Sequence, residues 1–320
     1  MESGEVPVRY LAKRIIILIA TLLLVTILAF LAFQVIPGDP VLSMLGTEYT
    51  PERAEVLREE LGLNGPLIVR YFNWLIGFLT GDFGVSYSYS MAVKDLIGPQ
   101  LPVTLTLTAL AFGLILLVAF PCGLFTARHE GGILDHILTV VNQIAMSIPP
   151  FLLGIVFTYL FGLMLRFFTP GDYISYRESV GGFLGYMLFP AMAVAIPKIA
   201  MTVKLLRGSL LTELHSDYVR TAYSKGNTKK TVLYRHVLRN GLIPVLTFLA
   251  MTIADIVAGS IIIEQVFAVP GMGRMLLQSI SVRDYPVVQA IIVIIAFVVV
   301  LANFAADLIY QSVDPRIELR

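Results

Sequence analysis

Apolar residues gather along the chain in six long runs, about Ile15 to Ile36, Leu101 to Ala127, Ile137 to Leu165, Gly181 to Leu206, Leu242 to Ile263 and Tyr285 to Ile309. Each is long and poor enough in charge to form a helix across the ~20-residue depth of a bilayer. The fourth is the weakest, because Lys198 and Lys204 fall in its last part, where long side chains can snorkel to the interface. The first follows Arg9, Lys13 and Arg14, is too long for the apolar part of a signal peptide, and reads as a retained anchor. The pattern predicts an all-α, polytopic membrane protein with six transmembrane helices.

Between the first two runs, a shorter rhythm predicts a helical insertion. Thr50 can cap a helix that starts at Pro51, with Ala54, Leu57 and Leu61 on one face and Gly62 as its stop. A second amphipathic helix spans Pro66 to Leu79, where Leu67, Tyr71, Leu75 and Leu79 recur every fourth residue and Trp74 suits headgroup depth. Such helices can plug the outer rim or dock a partner; amphipathicity alone does not separate the two.

The longest polar interruption of the second half, Asp217 to Pro244, is basic. Ser216 or Asp217 can cap a short helix with Tyr218, Val219 and Ala222 on one side and Arg220 and Lys225 on the other. Gly226 ends it, and Asn227 or Thr228 starts a second helix with Val232, Leu233, Val237 and Leu238 as its apolar stripe. The result is a helix, a glycine corner and a helix.

Charge fixes the sidedness. From Lys198 to Arg239 there are nine Lys or Arg against two carboxylates, and from Pro37 to Gln100 four against eight. Positive loops stay in the cytoplasm, so the basic segment is inside, the insertion outside, and both termini are cytoplasmic. Composition agrees with a lipid-solvated chain: of 320 residues, 57% are hydrophobic and 14% charged, and mean hydropathy is +0.82. A net charge of +1 gives no footprint for nucleic acid.

Enzyme chemistry finds little support. The phosphate-loop pattern is absent, so ATP hydrolysis is not expected of this chain. His129-Glu130 opens a zinc-protease pattern, but Ile133 stands at the second histidine position. The four histidines form no ligand set, His215 and His236 flank the basic segment, and Cys122 is a single cysteine in an apolar run. No metal and no cofactor are expected. Asp255, in the middle of the fifth run, is the clearest charge at membrane depth. It can line a pathway and meet a cationic part of a cargo, or pair with Lys198, Lys204 or another subunit.

Taken together, Tyr218-Val219-Arg220-Thr221-Ala222 with Lys225-Gly226, then Arg235-His236, Leu238-Arg239-Asn240 and Leu242-Ile243-Pro244, resemble the cytoplasmic EAA loop of permease subunits of binding-protein-dependent ABC importers. Arg220, Thr221 and Ala222 stand at its three early positions, Leu238 matches its Leu, and Arg239 replaces its Pro, departures typical of the dipeptide and oligopeptide branch. Pro37-Gly38-Asp39-Pro40, Gly81-Asp82-Phe83-Gly84 with Ser86, Leu101-Pro102-Val103-Thr104-Leu105, Pro270-Gly271-Met272-Gly273-Arg274 and Asp314-Pro315-Arg316 extend the resemblance over nearly the whole chain.

The resemblance implies a coupling segment at 216–240 that seats on a nucleotide-binding ATPase through Tyr218, Val219, Arg220, Thr221, Ala222, Lys225 and Gly226. It implies residues 1–36 as cytoplasmic N-terminus and first span, 37–100 as an extracytoplasmic helical region, 101–310 as a five-helix permease core and 311–320 as a cytoplasmic tail. Docking of an extracytoplasmic substrate-binding protein falls to Asp82, Phe83, Gly84, Gly271 and Gly273. The implied partners are a paralogous permease, two ATPases that bind ATP and Mg, and membrane lipid; the implied cargo is di- or oligopeptide. Nickel chelates or oligosaccharides would use the same machinery, an ion-coupled secondary transporter is the rival from another class, and a polytopic membrane enzyme is a further one.

Overall fold

The computed structural model describes residues 8–35, 41, 45–60, 62 and 64–313. The strings Pro37 to Pro40 and Asp314 to Arg316, and Leu61 in the first insertion helix, lie outside the described residues. Those described are mostly helical, with one isolated antiparallel bridge between Val85 and Ala92.

Two compact units divide the chain. One comprises Val8–Thr104 and Pro270–Leu301. It holds α1 (Val8–Val35), α2 (Pro51–Glu60), α3 (Leu67–Leu79), α4 (Val93–Ile97), the start of α5 (Leu101–Arg128), α12 (Met272–Ser281) and most of α13 (Tyr285–Val313). The other comprises Leu105–Val269 and the end of α13 from Ala302. It holds the rest of α5, α6 (Ile133–Ser147), α7 (Pro150–Phe157, continued as a wider π-turn over Thr158–Met164), α8 (Val180–Leu214), α9 (Asp217–Ser224), α10 (Lys229–Thr231, running on through Val232–Val237 and Leu238–Gly241) and α11 (Ile243–Val266).

In the first unit, Thr50 accepts a hydrogen bond from the Arg53 amide at 3.3 Å and Ala54 is fully buried, so the cap and inner face of α2 form as the sequence predicts. Helix α3 also forms, but Leu67 and Leu79 are exposed while Tyr71 and Leu75 are half-buried. Steps of four residues advance ~40° around a helix, so the ends of an every-fourth series drift off the packed face. The Tyr71 hydroxyl meets Thr26 of α1 at 2.9 Å, and Trp74 lies 5.8 Å from Phe30, which anchors α3 on the first span.

In the second unit, α8 is the central rod, in contact with α6, α7 and α11. Besides larger side chains such as Tyr186 and Leu206 it buries Ala191, Ala193, Ala195 and Ala200 on more than one side, and these small residues let neighbouring helices approach closely without hydrophobic drive from lipid. The Gly123 Cα lies so close to Leu206 that a methyl placed there would stand 2.7 Å from Leu206 Cδ2. The Tyr186 hydroxyl donates to the Phe267 carbonyl at 2.6 Å and ties α8 to the end of α11.

The third apolar run departs from expectation. Instead of one span over Ile137 to Leu165, α6 and α7 meet at 96°. The cause is the Pro149-Pro150 pair: the residue before a proline is pushed out of helical geometry, and Ile148 and Pro149 are both extended. Among the described residues, five helices are long and apolar enough to cross a membrane, six if the bent pair is one span.

Candidate functional site

The basic segment folds into the predicted elbow. Ser216 occupies the cap position of α9 without a side-chain capping bond. At the far end the Gly226 amide reaches the Tyr223 carbonyl at 2.9 Å, and the Asn227 side chain donates to the Ala222 carbonyl at 3.0 Å. Gly226 takes a φ of +80°, the left-handed geometry that closes a helix and that glycine adopts without strain. Thr228 then caps α10 by accepting from the Thr231 amide at 3.2 Å.

The burial of the elbow corrects one expectation. Val219 is 1% exposed and Ala222 is also buried, so these two cannot meet a partner. They pack toward the second half of the elbow, where Val232, Leu233 and Val237 are buried in turn. Periodicity marks an apolar face but not which surface covers it, and here the chain covers its own. What α9 leaves open is Asp217, Tyr218, Arg220, Thr221, Tyr223, Ser224, Lys225 and the Gly226 corner, a polar face with two aromatic rings. The elbow rests on α8 through Gly241, where an added methyl would stand 2.8 Å from Leu210 Cδ2. The Tyr218 hydroxyl donates to Glu213 Oε2 at 2.6 Å, and partial burial followed by this carboxylate pushes its pKa up to about 12.

Glu213 is also a wall of a groove of about 600 Å³ formed by α6, α8 and α11, with Met146, Lys204, Thr212 and Phe248 among its lining. Less than one turn before Met201 of the groove on α8, and about two turns beyond Phe248 on α11, Lys198 Nζ meets Asp255 Oδ2 at 2.6 Å, and 59% of the aspartate side chain stays exposed. Of the two readings of Asp255, the pairing with Lys198 is thus present, on a face that remains open.

Asp82, Phe83 and Gly84 form a turn in which Asp82 accepts from the Gly84 amide at 3.0 Å; Asp82 and Gly84 are exposed and Phe83 half-buried. Gly271 and Gly273 are buried, at the start of α12, and so are set inside the unit rather than on its surface. There the Met272 amide donates to Thr104 Oγ1 at 2.8 Å, which brings the Leu101–Leu105 and Pro270–Arg274 strings together.

The described residues contain no cluster of three metal-ligating side chains. The family model of the binding-protein-dependent transport system inner membrane component matches residues 119–319, and that of its N-terminal part matches residues 7–108. This chain belongs to that family.

Relatives of this inner-membrane component run along its full length. It is 34% identical over 308 residues to the probable peptide ABC transporter permease protein y4tP of Sinorhizobium fredii, covering 96% of this chain and 98% of that one. It is 35% identical over 312 residues to the oligopeptide transport system permease protein AppB of Bacillus subtilis, covering 97% and 99%. With the dipeptide transport system permease protein DppB of Alkalihalophilus pseudofirmus it shares 31% over 329 residues, again 97% and 99%. A chain of the inward-facing MetNI methionine ABC transporter has the same fold, with a TM-score of 0.54 at 20% identity over 68% of this chain and 96% of that chain. As an inner-membrane component the protein is a multi-pass transport subunit, distinct from the ATPase of such a system.

Two polar linkages of this inner-membrane component are invisible to motif reading. Arg207 grips Asp135 with both Nε and Nη2 at 2.7 Å, and the Gly131 amide adds a third bond at 3.0 Å to a carboxylate that is almost wholly buried. Asp284, fully buried before α13, accepts the Ser86 hydroxyl and the amides of Tyr87 and Ser88 at 3.1 and 3.3 Å. The signal available in sequence was a lone carboxylate at the edge of an apolar run in each case, which calls for donors without naming them.

Proposed function

We propose that this chain is the permease subunit of an ATP-driven importer that moves di- and oligopeptides across the bacterial cytoplasmic membrane. The observation that carries the reading is its full-length similarity to permeases named for peptide, oligopeptide and dipeptide transport. Nickel chelates, oligosaccharides or an ion-coupled mechanism find no such support.

The reading places six spans in the membrane with both termini in the cytoplasm, in agreement with the clustering of Lys and Arg between Lys198 and Arg239. A paralogous permease completes the pathway as a heterodimer, and a substrate-binding protein docks outside, at Asp82, Phe83 and Gly84. Two cytoplasmic ATPases bind ATP and Mg and seat the open face of the elbow, Tyr218, Arg220, Thr221, Lys225 and Gly226. Val219 and Ala222 serve by bracing that face from beneath. Closure of the ATPase pair moves the elbow, and α8 carries the movement inward through the Gly241 and Leu210 contact. Such coupling works to the extent that ATP binds one state better than the other. Asp255 lines the pathway.

Purification from membranes tests the proposal. Co-isolation of ATPase subunits, and peptide uptake into liposomes that needs ATP and no ion gradient, is the expected result. Uptake that survives without the ATPases, or that follows an imposed proton or sodium gradient, would remove it.

A further inference from the structure

Lys198 and Asp255 lie inside two membrane-crossing helices, where a charge needs either an enclosing partner or a polar path. They have each other at 2.6 Å, yet the carboxylate is 59% exposed. The exposure is directional. Along α11, Pro244, Thr247, Met251, Asp255, Ala258 and Ile262 are all open and all on one face by their spacing of three and four residues. Pro244 belongs to the groove of about 600 Å³, and Lys198 shares a face of α8 with Met201 and Leu205, which line it too. The pair therefore stands on the surface that continues the groove toward the membrane interior. A pair left this open is weakly held, because water and headgroups compete for its charges, so a ligand that offers both charges can part it.

We infer that Lys198 and Asp255 form a clasp for the two charged ends of a short zwitterionic peptide, an inference that rests on the reading of this chain as a peptide permease. The peptide ammonium takes Asp255, the peptide carboxylate takes Lys198, and the two side chains close on each other again when the peptide leaves. The exchange replaces one charge pair by two and keeps the net charge at zero, so no uncompensated charge is left at membrane depth in either state. The lysine is suited to opening because its ammonium rides on a flexible four-carbon stem.

The test uses the whole complex with its ATPase subunits, in detergent, and reads the unfolding temperature with millimolar dialanine, N-acetyl-dialanine, dialanine amide or the doubly blocked N-acetyl-dialanine amide. Dialanine is expected to raise Tm, the doubly blocked peptide not to, and each half-blocked peptide to act about tenfold more weakly than dialanine. Asp255→Asn should erase the preference for a free ammonium and Lys198→Gln the preference for a free carboxylate. Equal shifts with free and blocked ends, no shift with dialanine, or preferences that persist in the variants overturn the clasp. Should a variant fail to assemble, the half-blocked peptides on the wild-type complex still decide. ATP-driven dialanine uptake by wild-type liposomes supplied with the substrate-binding protein is measured beside it: its absence removes the peptide-permease reading itself, whereas uptake without discrimination of blocked ends removes the clasp alone.

Discussion

Ser86 hydrogen-bonds Asp284 across 198 positions of sequence, and both side chains are fully buried. Together with the Tyr87 and Ser88 amides, this makes the aspartate the organiser of the loop that follows the Gly81–Gly84 turn. Asp284→Ala would leave three donors without an acceptor, a loss of about 2–3 kcal/mol in local stability. Hydrogen exchange should speed up at residues 85–92 while the elbow stays protected, and Asp284→Asn should do less harm because its amide oxygen still accepts. Unchanged exchange in that loop would show that something else holds it.

The Arg207 grip on Asp135 is two-pronged, so its geometry should matter beyond its charge. Arg207→Ala leaves a nearly buried carboxylate with one amide for company and is expected to cost about 3 kcal/mol. Arg207→Lys should recover part of that and not all, because an ammonium cannot make both parallel bonds. Thermal unfolding of the purified complex gives the comparison; equal Tm for the Lys and Arg forms would refute the two-pronged account.

Tyr218 supplies a pH test. Its pKa is pushed up from 10.0 to about 12, first by burial and then by the bond to Glu213. The folded chain thus holds this proton more tightly than the unfolded one. The stabilisation is complete below the ordinary tyrosine range and is lost as pH climbs from about 10 to about 12. Tyrosinate absorbance of the wild type minus that of Tyr218→Phe should place the missing group near the upper end. Glu213→Gln should lower it while leaving it above the ordinary value, since burial remains.

Gly226 has nothing within 4 Å of the place a side chain would begin, so a substitution there meets open space. The cost lies in the φ of +80°, which a β-branched residue resists by roughly 1–2 kcal/mol and Asn or Asp resists less. Gly226→Val should lower the binding-protein-stimulated ATPase rate more than Gly226→Asn, with membrane insertion intact in both. Equal loss with Asn and Val would mean that the exposed corner is needed bare by a partner rather than left-handed.

The elbow was the most legible part of the chain because its signals are local: a capping Thr228, a glycine at the corner, and apolar residues at helical spacing. The side of that spacing that faces outward was not legible. Val219 and Ala222 look the same in sequence whether they meet Val232 and Val237 or another protein, since period reports a face and not its neighbour. The Pro149-Pro150 break was in plain sight, yet a window that scores only length and charge runs through it. Asp135 with Arg207, and Ser86 with Asp284, are pairings over distances where sequence spacing carries no geometry.

Helix α8 runs unbroken for 35 residues, about 52 Å at 1.5 Å per residue, well beyond the hydrocarbon thickness it crosses. It bears Tyr186 near one end, Lys198 midway, and Leu210 and Glu213 beside the elbow at the other. Pro190 and Pro197 interrupt its hydrogen-bond ladder between those ends, so a push at the elbow end divides between bending at the prolines and tilting of the whole rod. The alanines buried between the two prolines, Ala191, Ala193 and Ala195, leave neighbouring helices little bulk to clear, which makes that stretch the natural place for such a bend to turn.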